Sequence, residues 1–280
     1  SADEFSGQVD NNGWLVSLDG SGSSDPTSPT NRLSYLWDMG WERFDGTATT
    51  PGKWMTSASG VSQSNALAVT GSGSWGTRYA FARGSVARAA GTAFQATVIP
   101  AGTCHAAVGL KNTGTSCSYT AMPYCFYFHD SDYIEIHEDG NNRGRVARYT
   151  PGTAYDVRID LKNGSGARYY LRPSGATEWW LLYDSGYGTD TAFLRGVDVY
   201  SGTFELDDLR ELAPGQVALW RFYGTNTFTA TLIVTDPTGS SDTNATTVTT
   251  SLNDPPVADA GLDATLVESN ATDRVWTYTF

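Results

Sequence analysis

The chain has 280 residues, 40% of them hydrophobic and 17% charged, with 30 glycines, 11 prolines and a net charge of −12. This composition excludes a disordered tail, a coiled coil and a collagen-like rod, and the length suits one or two domains with cores of their own. The acidic balance argues against a nucleic-acid partner, whose phosphates need a basic face, and no run of about 18 apolar residues is available to span a membrane. No basic, apolar leader opens the chain at Ser1, so any signal peptide is expected to be already gone.

In chain order, residues 16–40 (VSLDGSGSSDPTSPTNRLSYLWDMG) place Asp19 and Asp25 beside Gly/Ser turn residues, where carboxylates bond local amides. Trp37 falls mid-strand, where a sandwich buries its largest ring. Alternation of β-branched and aromatic residues then predicts strands at Phe94–Ile99, Cys125–His129, Tyr133–His137, Ala154–Leu161, Ala167–Arg172, Trp179–Tyr183, Gly196–Tyr200 and Thr227–Val234. Turn clusters separate them at EDGNNRG (138–144), KNGSG (162–166) and RPSGA (172–176). No amphipathic helix longer than about three turns is found, so the fold class is all-β.

Residues 16–40 together with TNTFTATLIVTDPTGSSDTNATTVTT (225–250) and NDPPVADAG (253–261) resemble the polycystic-kidney-disease (PKD) repeat, an immunoglobulin-like sandwich of extracellular proteins. Asp19, Ser21, Ser23, Asp25, Tyr35, Trp37 and Asp38 match its first half, and Phe228, Thr231, Leu232, Val234, Asp236 and Gly239 its second. The two halves normally lie about 25 residues apart; here roughly 180 intervene, so a domain is expected inside a loop, where insertions are tolerated. That insert opens with WERFDGTATTPGKWMTSASG and closes with VDVYSGTFELDDLRE. It resembles a concanavalin-A-like jelly roll of the lectin and glucanase superfamily, whose first and last strands pair side by side.

The resemblances imply an immunoglobulin-like PKD sandwich (1–40 with 213–252) split by an inserted jelly-roll β-sandwich (41–212), with a tail (253–280) like the start of another PKD repeat. In similar jelly rolls, carboxylates at the two chain ends hold a structural calcium ion, which implies Ca²⁺ at Glu42, Asp45, Asp207 and Asp208. Solvated surface carboxylates are the alternative. The strand YIEIHEDG (133–140) faintly resembles the catalytic strand of laminarinase-type glucanases. Glu135 and His137 share a face and Glu138 points away, which breaks the pattern of two carboxylates on one face. A non-catalytic protein is therefore expected. His129 and His137 are expected to neighbour each other across a hairpin with Asp130 and Asp132 at its tip, either as a metal site or as ordinary surface histidines.

Exposed rings can stack on a sugar, and Trp179, Trp180 and Tyr187 with Arg172 form the candidate glycan site; sandwich core is the alternative. Three cysteines make no disulfide framework. If 105–112 and 124–130 pair as a hairpin, Cys104 lies at its far end, eight residues at about 3.3 Å from the loop that carries Cys117. One bond, Cys117–Cys125, is expected, unless the loop folds back. Asn163, Asn244 and Asn270 head glycosylation sequons.

Two functions follow from this reading. The first is an extracellular, cell-surface structural or adhesive building block of a filament, surface layer or long adhesin, whose partners are copies of itself or neighbouring repeats. Assembly would run head-to-tail through Leu266, Val267, Val275, Trp276, Tyr278 and Phe280, because an apolar free strand pair invites strand addition. A chain cut inside its next repeat would explain the same tail. The second is a glycan-binding, lectin-like module that uses the insert.

Overall fold

The computed structural model describes residues 14–26, 32–50, 52–115, 117–223 and 225–251. The expected tail interface and Asn270 lie outside the described residues. So do residues 1–13, which open the segment expected to form the PKD-like sandwich.

Three of the early strands belong to a small sandwich and to the edge of a large one: β1 (Trp14–Asp19), β2 (Ser34–Glu42) and β3 (Trp54–Thr56). The large sandwich continues through β4 (Val61–Gln63), β5 (Leu67–Thr70), β6 (Tyr79–Ala82), β7 (Val86–Ala87), β8 (Gly91–Pro100), β9 (His105–Lys111), β10 (Tyr124–His129) and β11 (Tyr133–Glu138). Then follow β12 (Asn141–Arg148), β13 (Tyr155–Leu161), β14 (Ala167–Pro173), β15 (Trp180–Asp184), β16 (Ala192–Ser201) and β17 (Thr203–Asp207). The chain returns to the small sandwich with β18 (Leu209–Pro214), β19 (Val217–Phe222), β20 (Asn226–Thr235) and β21 (Ser241–Thr250). Each of the eight strands expected from alternation is present.

Two antiparallel sheets make the large, jelly-roll-like sandwich. One has the order β12–β11–β10–β9–β16–β6–β3, with β7 also on β16; the other runs β15–β14–β13–β8–β17–β5–β4. Period-two alternation explains the packing: in β13, Val157, Ile159 and Leu161 turn inward while Arg158 and Asp160 face out. They meet Val108, Leu110, Phe126, Phe128, Ile134, Ile136, Val197 and Val199 of the opposite sheet in one core. Each such buried side chain contributes about 1.5–3 kcal/mol relative to exposure. The last strand, β17, lies between β5 and β8, so the two ends of this sandwich meet.

The segments on either side enclose a second core. β1 pairs with β19, and β18–β2–β20–β21 form a four-stranded sheet. Val16, Leu18, Tyr35, Trp37, Ala213, Trp220, Phe222, Ala230, Leu232 and Val248 pack between them. Pairing of Leu209 with Glu42 and of Arg210 with Trp41 carries this sheet past the expected boundaries at 41 and 212.

Two expectations are corrected. Residues 138–144 are not a continuous turn: Asp139 and Gly140 make it with positive φ, and β12 starts at Asn141 because the β11 edge supplies its partners. There is also no Cys117–Cys125 bond, since all three cysteines are free and buried. Cys117 Sγ faces the Val197 carbonyl of β16 at 3.8 Å and Cys125 Sγ the His137 carbonyl of β11 at 3.5 Å. Strands β9 and β10 lie between those two carbonyls' strands, so the thiols are held against different partners. Among the described residues no helix is long and apolar enough to cross a membrane.

Candidate functional site

The face of the eight-stranded sheet that turns away from the core carries rings, imidazoles and carboxylates in rows set by strand register. One row runs Tyr79, Asp198, Ala107, Tyr127, Glu135, Arg145 across β6, β16, β9, β10, β11 and β12. The next places Cys125 beside His137, and His137 beside Asn142. At the other side of the first row, His129 faces Tyr133, and His105 starts β9 one position before the Ala106–Phe128 pair.

Loops add Trp75 and Tyr119. The Trp75 ring centroid lies 4.9 Å from that of Tyr119, 5.4 Å from Tyr127 and 5.6 Å from Tyr200. Tyr127 stacks on His137 at 4.3 Å, and His129 on Tyr133 at 4.3 Å. Trp75, Tyr119 and Tyr200 are half-buried, so the cluster has a solvent-facing rim over a fixed floor. The Lys111 ammonium, itself fully buried over the Phe81 ring at 4.4 Å, donates to the Asn112 and Gly114 carbonyls and pins the loop that carries Tyr119.

The polar groups are ordered too. His137 Nε2 and Glu135 Oε2 are 3.0 Å apart, as expected of two side chains on one strand face. Burial pushes the Glu135 carboxyl up, but bonds from His137 and Asn142 outweigh it and hold it below the ordinary range. Burial pushes His137 down, against the pull of Glu135. The pair is therefore a carboxylate beside a neutral imidazole near pH 7. Glu138 points to the opposite face, fully buried, and accepts from the Tyr169 hydroxyl at 3.1 Å and from Arg143 at 2.9 Å. Asp198 accepts from the Gly76 N–H at 3.0 Å, and burial raises its carboxyl to about 7.

His129 does not neighbour His137, because register sets His137 against Cys125. Its neighbour is His105, with ring centroids 4.4 Å apart. Among the described residues, His105, His129 and Asp130 are the only three or more His, Cys, Asp or Glu whose ligand atoms all lie within 4.8 Å of one another.

The four carboxylates expected to hold calcium do not form such a group. Glu42 Oε2 is 2.5 Å from Lys53 Nζ, which also reaches Glu211 at 2.7 Å. Asp208 lies 3.7 Å from Arg43. Burial, with the charges of Asp208 and Asp45, raises the Asp207 carboxyl. Lysine and arginine thus supply the positive charge at Glu42 and Asp208. The expected glycan residues also separate. The Trp179 ring lies under the Arg172 guanidinium at 4.3 Å, and Arg172 is tied to Asp156 at 2.8 Å, on the other sheet. Trp180 is 52% exposed beside them, whereas Tyr187 bonds Asp139 at 3.1 Å and stacks under Arg143, next to the β11–β12 turn. Asn163 and Asn244 are exposed. The ring cluster escaped sequence reading because Trp75, Tyr119, Tyr127 and Tyr200 come from four separate segments; the alternation of β10 and β11 was the available signal.

No protein-family model matches the sequence, and neither does any curated protein. Solved structures are similar to this chain in part. The exoplasmic/lumenal domain of VIP36 in its Ca²⁺-bound form is 7% identical, with a TM-score of 0.44 over 68% of this chain and 97% of that one. The same domain bound to Ca²⁺ and Man3GlcNAc is 7% identical, with a TM-score of 0.43 over 66% and 93%. A functionally unknown protein from Saccharomyces cerevisiae is 13% identical, with a TM-score of 0.41 over 62% and 99%. At these values residue roles do not transfer from them.

Proposed function

We propose that the chain is a non-catalytic carbohydrate-binding protein whose site is the outer face of the eight-stranded sheet, held on a small PKD-like sandwich. The observation that carries this reading is the half-exposed ring cluster of Trp75, Tyr119 and Tyr200 over Tyr127, bordered by Glu135, His137 and Arg145. Rings supply flat apolar surface for the C–H face of a sugar, and the polar border supplies directional bonds to hydroxyls. Tight ring-to-ring packing fixes the cluster before binding, which limits the entropy lost.

Carboxylate placement supports binding without hydrolysis. Glu135 and Asp198 lie in one row three strands apart, about 14 Å at a strand spacing of about 4.8 Å. Glycosidic bond cleavage needs a pair at about 5–9.5 Å. The structural, filament-forming reading rests on residues 253–280, outside the described residues, so the glycan reading is the one the described surface favours. For the small sandwich, support comes from Asp19, which accepts from the Ser21 N–H at 2.8 Å, and from Trp37, buried mid-strand in β2.

A broad glycan array with the full chain tests the function. We expect binding to a subset of glycans, weakened about tenfold by Trp75→Ala or Tyr119→Ala at unchanged fold, as loss of one stacked ring implies. No hit with folded protein, or hits indifferent to both substitutions, would overturn it.

A further inference from the structure

We infer that His105, His129 and Asp130 form a binding site for a divalent transition-metal ion such as zinc, at the edge of the aromatic face. The inference does not rest on glycan binding. His105 opens β9 and His129 closes the antiparallel neighbour β10, so the register sets the two imidazoles side by side, and Asp130 follows in the turn. His105 Nε2 is 3.1 Å from Asp130 Oδ1, and His129 Nδ1 is 3.0 Å from the same oxygen. An ion bound at about 2.0–2.1 Å to each ligand, at tetrahedral or octahedral angles, sets its ligands about 2.9–3.4 Å apart.

One of the three ligand atoms is buried without a hydrogen-bond partner. The Ser131 N–H lies 3.2 Å from His129 Nδ1 and the Ser131 hydroxyl 3.3 Å from Asp130 Oδ1; a bound ion would take the Nδ1 lone pair in place of that N–H. His105 Nε2 is buried and, although close to the carboxylate, lies off hydrogen-bond direction. Two imidazole nitrogens with one carboxylate oxygen suit zinc and its first-row neighbours; calcium prefers an all-oxygen shell. The ring positions are held in advance by Tyr133, stacked on His129 at 4.3 Å, and by Tyr200 and Tyr127 at 5.7 and 5.9 Å from His105. The Asp130 side chain is 52% exposed, which leaves coordination positions open to water or a ligand.

Metal-stripped full-length protein is titrated with Zn²⁺ by calorimetry and with Co²⁺ by visible absorption. We expect one saturable equivalent, a Co²⁺ spectrum showing nitrogen ligation, and a rise in Tm with added Zn²⁺. His105→Gln and His129→Gln should each weaken Zn²⁺ binding at least tenfold. Asp130→Asn, at an exposed position that leaves the fold intact, should weaken it by a similar factor, with Tm in EDTA equal to that of the parent. Absence of saturable binding, binding indifferent to Asp130→Asn, or displacement of Zn²⁺ by a large excess of Ca²⁺ would each overturn the inference. Glycan-array results leave all of these readouts unaffected.

Discussion

Asp198 has no exposed surface, and its carboxyl titrates near 7 because burial disfavours the anion more than the Gly76 and Val199 N–H groups favour it. In the unfolded chain the same group titrates near 3.9. The folded state therefore holds the proton more tightly, and stability falls as pH rises from about 4 to about 7. Asp198→Asn keeps an acceptor for the Gly76 N–H and removes the charge. Thermal melts should show this variant more stable than the parent at pH 8, on the order of a few kcal/mol, with the difference closing toward pH 4. The thiols illustrate the same physics. Burial pushes Cys104 up to about 12, and Cys117 and Cys125 further up still. Thiolate is the reactive form, so native protein should give no colour with a thiol reagent and three equivalents after denaturation. One equivalent after denaturation would restore the disulfide.

At the scale of elements, the join between the sandwiches is made by charges taken out of water. Lys53, just before β3, bridges Glu42 at the end of β2 and Glu211 of β18, and all three side chains are about 15% exposed or less. Burial alone would lower the lysine's pKa, but the two glutamates raise it above the ordinary value. Lys53→Met leaves two carboxylates facing each other, and denaturant unfolding should show a loss of about 3–5 kcal/mol. Restoring the pair to neutrality with Glu42→Gln and Glu211→Gln on the same background should recover part of it. Legibility at this scale was uneven. Alternation exposed β8, β10, β11, β13 and β14, because their inward residues face a continuous core. It missed β12 (NNRGRVAR), an edge strand whose place comes from the free backbone groups of β11. Nor could it show that Lys53, 11 residues away in a loop, pairs with Glu42.

For the whole molecule, Arg195 links the two cores. It leaves β16 fully buried, donates to the Ala93 carbonyl of β8 at 3.2 Å and to the Leu212 carbonyl of β18, and lies over the Trp220 ring at 5.1 Å. Desolvation lowers its pKa to about 10, so the guanidinium stays charged at neutral pH and is stabilised by those carbonyls. Because one side chain satisfies groups in both sandwiches, calorimetry should show a single unfolding transition for the parent. Arg195→Leu should split it into two, with the small sandwich, whose core is smaller, melting first.

Sequence by itself determined the all-β class, the strands with a buried face and the opposed faces of Glu135 and Glu138. Those properties follow from period-two alternation and local turn chemistry, which are written in neighbouring residues. Only the tertiary structure decided which strands lie side by side, and with them the partners of each side chain. Register set His129 against His105 rather than His137, and loop placement brought Trp75 and Tyr119 onto Tyr127 and Tyr200 and Lys53 onto Glu42. A one-residue slip in any of these ladders turns every side chain to the opposite face, so a site built across strands exists only once the register is set.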